Sequence, residues 1–183
     1  MSITPDEARR VAAEADCLHT REEVERELDR LAAEITARHA DSNPVFLVVM
    51  TGALIPAGHL LTRLDFPLQV DYIHATRYGN ETTGGELAWQ TEPGIDFADR
   101  EIIVFDDILD EGVTLAAIVD YCRQRGARRV FTAVLVEKQH KRKQGIHADY
   151  VGIQVVDRYV FGYGMDYKGY LRNVAGIYAV KGM

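Results

Sequence analysis

The sequence predicts an α/β fold: a parallel twisted sheet flanked by helices. Three observations predict it. Residues 44–50 and 102–105 are apolar runs of strand length, and the second reads as a strand buried on both faces, as in a parallel sheet. Residues 53–64 and 114–125 have helical character, the latter with Leu115, Ile118, Val119 and Cys122 at helical spacing and Gly126 as its stop. Strands and helices alternate through the chain, and ligands bind beyond the carboxyl ends of the strands in such sheets.

Taken in order, Thr4-Pro5-Asp6-Glu7 is a helix start, with Pro in the first turn and acids behind it. Thr20-Arg21-Glu22-Glu23 fits a capping box opening a second helix, whose Val24, Leu28, Leu31 and Ile35 fall on one face. Residues 1–41 are therefore an N-terminal helical segment packed on the core, and 42–183 the main domain. Further strands are expected at 69–75, 86–90, 101–106, 129–136, 150–156 and 177–180. Residues 76–85 form a polar loop, long enough to suggest a functional role.

Composition narrows the classes. With 183 residues, 47% of them hydrophobic, the chain can bury a substantial core. A formal net charge of −7 argues against non-specific nucleic-acid binding and suits a protein that holds a divalent cation. Two cysteines, Cys17 and Cys122, make neither a disulfide framework nor a metal spacing, so a reducing cytoplasm is expected. No apolar run approaches the length needed to span a membrane.

The most informative stretch is Val104-Phe105-Asp106-Asp107-Ile108-Leu109-Asp110-Glu111-Gly112-Val113-Thr114-Leu115. A buried strand runs into two adjacent carboxylates, then an acidic turn with Gly112, then a helix start. The helix end offers unpaired N–H groups to a phosphate. The carboxylates can accept from sugar hydroxyls or hold a divalent cation through water.

That stretch resembles the phosphoribosyl pyrophosphate (PRPP) motif of the type I phosphoribosyltransferases, with Glu111 where Thr is usual. An acid there must point away from phosphate or pair with a cation. The resemblance implies the type I fold with a small hood. It also implies that Asp106, Asp107, Asp110, Glu111, Gly112, Val113 and Thr114 bind the ribose phosphate. Met50-Thr51-Gly52-Ala53 is similar to the family's pyrophosphate loop, giving Thr51 and Gly52 to pyrophosphate, with Arg172 matching an Arg that contacts it. Arg77, Tyr78 and Gly79 correspond by position to the family's lid loop, with Arg77 in place of Ser.

A second match, Val151-Gly152-Ile153-Gln154-Val155-Val156-Asp157-Arg158-Tyr159-Val160-Phe161-Gly162-Tyr163-Gly164-Met165-Asp166-Tyr167, is similar to the purine end of the hypoxanthine-guanine branch. It implies that Tyr159 stacks on a purine, the Val160 backbone reads the base edge and Lys138 donates to a 6-oxo group. An ammonium has only donors and so disfavours a 6-amino group. The basic run from Lys138 to Lys143 also reads as an exposed loop. Mg²⁺ is the implied cofactor, held by Asp106, Asp107 and Asp166, and Asp110 is the candidate general base. PRPP and a 6-oxopurine are the expected substrates, with neither nucleic acid nor membrane as a partner. The expected assembly is a homodimer or homotetramer. Two alternatives stand beside this one: a xanthine-preferring enzyme, and a PRPP-sensing nucleic-acid-binding regulator on the same fold.

Overall fold

A computed structural model describes residues 3–77, 87–143 and 145–183. In chain order these form α1 (Pro5–Glu14), β1 (Asp16–His19), α2 (Arg21–His39), β2 (Val45–Met50), α3 (Leu54–Leu61), β3 (Gln69–Arg77) and β4 (Leu87–Thr91). Then follow β5 (Glu101–Leu109), α4 (Val113–Gln124), β6 (Arg129–Gln139), β7 (Tyr150–Val156), β8 (Val160–Phe161) and β9 (Ile177–Ala179).

Six strands form the main sheet in the order β4-β3-β2-β5-β6-β7. All neighbours are parallel except β3 and β4. From β2 the chain winds through α3 to β3 in one direction, and from β5 through α4 to β6 in the other. The strand order therefore switches between β2 and β5, whose C-terminal ends open onto one crevice. The apolar strands are buried on both faces because helices cover both. On one side Phe46, Ile103 and Phe105 pack with Val24, Leu28, Leu31 and Ile35 of α2 and Leu60 of α3. On the other, Leu47, Ile102 and Val104 pack with Leu115, Ile118 and Cys122 of α4.

The N-terminal helices start as the sequence predicts. Thr4 accepts from the Glu7 N–H at 3.2 Å, and Thr20 and Glu23 complete a reciprocal capping box. A strand lies between them that the sequence reading missed. β1 pairs with β9, which pairs with β8, giving a small antiparallel sheet beside the main one. α1 packs there, its Ala8 clustering with Ile3, Phe161, Tyr167 and Val180. β1 and β8 have four and two residues, too short for a two-residue period to register.

Two boundaries move in a way that matters. β5 runs on to Leu109 because Ile108 pairs with Val136 and Leu109 with Glu137. Asp107, Ile108 and Leu109 are therefore strand residues as well, three beyond the expected end at residue 106. β6 likewise reaches Gln139, so Lys138 stands within a strand rather than beyond one. Arg77 closes β3; Tyr78 and Gly79 lie outside the described residues.

Candidate active site

The crevice at the switch point is a cleft of about 320 Å³. Thr51 and Gly52 after β2, the segment from Asp106 to Gly112, and Thr114 line it, with Asp166 and Arg172 opposite. A second hollow of about 210 Å³ adjoins, lined by Lys138, Tyr159, Val160 and Met165. Asp107, Ile108, Asp110 and Asp166 line both.

Successive residues of a strand face opposite sides, yet both carboxylates near the end of β5 border the cleft. Asp107 is 9% exposed, and its N–H donates to Asp106 Oδ1 at 2.9 Å. Burial, then the neighbouring Asp107 charge, pushes the Asp106 carboxyl well above its ordinary pKa. Burial raises Asp107 as well, partly offset by Arg172. A Cβ on Gly52 would lie 2.0 Å from Asp107 Oδ2, so only glycine lets the β2 loop approach this carboxylate.

The turn after β5 closes at Gly112, whose φ of +86° is the left-handed region that glycine adopts freely. Gly112 is also the cap residue of α4, and its carbonyl accepts from the Ala116 N–H at 2.9 Å. The helix N-terminus therefore faces the cleft, with the Thr114 side chain among its lining groups. Val113 starts the helix without joining that lining. Glu111 meets a cation: Arg142 Nε lies 3.9 Å from its carboxylate.

At the seam between the two hollows, Asp110 takes a hydrogen bond from Lys138 Nζ at 2.8 Å on Oδ2. His140 Nε2 lies 2.6 Å from Oδ1. Burial alone would raise this carboxyl; hydrogen bonds from Lys138 and His140, with the Lys138 charge, outweigh it and hold the pKa below the ordinary value. Asp110, His140 and Asp157 present ligand atoms within 4.8 Å of one another. Protein cations already occupy that space, because Arg142 forks onto Asp157 at 2.8 and 3.0 Å. Across the cleft, Arg172 bonds Asp166 at 2.8 Å and the Gly164 carbonyl at 2.6 Å. Tyr159 is 40% exposed, its ring edge-on to Tyr167 at 5.4 Å between centroids.

The sequence reading passed over His140. It lies in the basic run that also reads as an exposed loop, yet its side chain is only 5% exposed. Lys138, His140 and Arg142 alternate, and all three approach Asp110. A two-residue period continuing the strand is the signal that would have found it.

A strand-end carboxylate pair, a left-handed glycine turn and a helix N-terminus define the class, and comparison with known proteins agrees. Residues 14–168 match the family of phosphoribosyl transferase domains. The chain belongs to that family. It is similar to the hypoxanthine-guanine phosphoribosyltransferase of Bacillus subtilis, 34% identical over 165 residues, 90% of this chain and 92% of the relative. The hypoxanthine-guanine-xanthine phosphoribosyltransferase of Tritrichomonas foetus is 31% identical over 90% of each chain. Among solved structures, a hypoxanthine phosphoribosyltransferase from Staphylococcus aureus superposes with a TM-score of 0.86 at 27% identity, covering 91% of each chain. A hypoxanthine-guanine-xanthine phosphoribosyltransferase gives 0.83 at 29%, covering 91% of this chain and 96% of the other.

Proposed function

We propose that this enzyme transfers the phosphoribosyl group of PRPP to N9 of hypoxanthine or guanine, releasing pyrophosphate and forming IMP or GMP. The observation that carries the reading is the pair of adjoining hollows sharing Asp107, Asp110 and Asp166. One has the acidic strand end and helix N-terminus suited to a sugar phosphate. The other has an ammonium and an exposed aromatic ring suited to a 6-oxopurine. The names of the relatives, one of them a xanthine-accepting enzyme, support the same substrate class.

Within this mechanism the 5′-phosphate rests on backbone N–H groups from Asp110 to Thr114 and on the Thr114 hydroxyl. Thr51, Gly52 and Arg172 receive the pyrophosphate. The Asp106–Asp107 pair suits a divalent cation. Burial raises both carboxyls, and a cation beside them would favour the ionised pair. We take that cation to be Mg²⁺, held by Asp106 and Asp107 with Asp166 on the pyrophosphate side. Bound there, it supplies charge that stabilises the leaving pyrophosphate.

On the other side Tyr159 stacks on the purine and the Val160 backbone meets its edge. Lys138 donates to the 6-oxo group. It now bonds Asp110, so base binding moves it and frees Oδ2. Asp110, already ionised at neutral pH, then accepts the N7 proton while N9 attacks C1 of the sugar. Orientation and electrostatics carry the catalysis, since the sugar passes through an oxocarbenium-like state. We place the enzyme in the cytoplasm as a homodimer or homotetramer, the symmetric assemblies commonest among soluble oligomers.

The reading is tested by pyrophosphate release from PRPP and Mg²⁺ with hypoxanthine, guanine, xanthine or adenine supplied separately. Turnover with hypoxanthine and guanine, and little with adenine, is expected. Turnover with xanthine alone would change the substrate. PRPP binding with no turnover on any base would remove the transferase reading.

A further inference from the structure

His140 is connected in a way that fixes its tautomer. The Arg142 backbone N–H donates to Nδ1 at 3.0 Å, so that nitrogen presents its lone pair. The ring proton therefore sits on Nε2, which donates to Asp110 Oδ1 at 2.6 Å. Each oxygen of Asp110 thus has its own donor, His140 on Oδ1 and Lys138 on Oδ2. The remaining charged groups around the pair are Arg142, 3.9 Å from Asp110 and from Glu111, and Asp157, which binds Arg142.

The two donors differ in what they permit. Lys138 covers one oxygen with a full positive charge, and a proton cannot be accepted there until it moves. His140 in this tautomer covers the other oxygen as a neutral donor, which orients the carboxylate while opposing its basicity less than a cation would. The imidazole is itself held at both nitrogens and enclosed, so it is a rigid strut rather than a mobile surface group.

We propose that His140 is a positioning residue that holds Asp110 by Oδ1, so that Oδ2 is aimed at N7 of the purine when Lys138 leaves it for the 6-oxo group. The inference rests on the reading of Asp110 as general base and Lys138 as purine ligand. In the step it serves, the N7 proton passes to Oδ2. The N7–H electron pair returns to the ring, N9 forms the bond to C1, and the C1–O pair departs with pyrophosphate.

The test is steady-state kinetics with PRPP and hypoxanthine across pH for the intact enzyme and four variants, His140→Ala, His140→Gln, His140→Asn and Asp110→Asn. His140→Ala is expected to lower kcat by about 10- to 100-fold, the scale on which lost alignment acts, with KM for PRPP unchanged. It also removes a donor that lowers the Asp110 pKa, so the acid limb of the kcat/KM profile should move to higher pH. The glutamine amide can reach the Nε2 position, so His140→Gln should restore most of both properties. The shorter His140→Asn should not, and this pair decides the matter should His140→Ala fail to fold. Wild-type kcat and pH profile in His140→Ala, or equal behaviour of the Gln and Asn variants, overturns the proposal while an impaired Asp110→Asn leaves the base reading standing. Full activity in Asp110→Asn removes that reading itself.

Discussion

Gly52 shows how one missing side chain assembles this site. The built Cβ lies 2.0 Å from Asp107 Oδ2 and 2.3 Å from Cγ, far inside contact distance. The carboxylate is 9% exposed and sits within β5, between the two hollows. Gly52→Ala is therefore expected to displace Asp107. Overpacking of this kind costs about 1–3 kcal/mol in stability, and misplacement of a group near the reaction can lower turnover by about 10²-fold. Thermal melting and kcat/KM for PRPP measure the two effects. A variant with wild-type values of both would show that the loop and Asp107 move independently. The sequence shows the Gly and the acid separately, but their contact arises only because β2 and β5 are sheet neighbours, which no local pattern encodes.

At the scale of elements, α2 is anchored at its last turn as well as along its apolar face. His39, fully buried, lies 2.9 Å from the Tyr150 hydroxyl and 3.4 Å from Glu101, with its ring edge-on to Phe131. Burial, the largest influence, lowers the His39 pKa from its ordinary 6.5 despite the Glu101 carboxylate. Above that value the imidazole is neutral in both folded and unfolded chains and adds no pH dependence. As pH falls below it the unfolded chain takes the proton first, so stability declines toward the folded pKa. The melting temperature should accordingly begin to drop as pH falls through about 6.5, the free-histidine value, and decline further toward pH 5. His39→Gln should flatten that slope; an unchanged slope would assign the acid sensitivity elsewhere. The helices carried strong sequence signals, apolar spacing in α2 and α4 and caps at Thr4 and Thr20. By contrast, β1 and β8 are set by partners distant in the chain, Tyr178 opposite both Cys17 and Phe161. The ends of β5 and β6 extended beyond expectation for the same reason: β5 pairs with β6 as far as Leu109 opposite Glu137, and β6 pairs with β7 as far as Lys138 opposite Val155 and Gln139 opposite Val156.

Across the whole molecule, the fold brings the chain's two motif segments to one crevice. The acidic stretch spans the C-terminal end of β5 and the turn after it, the Tyr159–Asp166 segment includes β8 of the small sheet, and they meet at Asp107, Asp110 and Asp166. Order along the chain was enough to suggest both segments and the sheet that carries them. What it could not convey was connectivity at the seam: that Lys138 rests on Asp110, that His140 shares it, and that Arg142 turns toward Glu111 and Asp157. Those contacts depend on how far β6 runs before it bends, a packing outcome rather than a composition. Asp110 is the residue on which the account turns, because it lines both hollows. Turnover of hypoxanthine and affinity for PRPP, measured together in Asp110→Asn, test this most directly. A fall in kcat of about 10²- to 10⁴-fold, the usual worth of general acid–base catalysis, is expected, with PRPP binding retained. Turnover equal to that of the unaltered enzyme would contradict it.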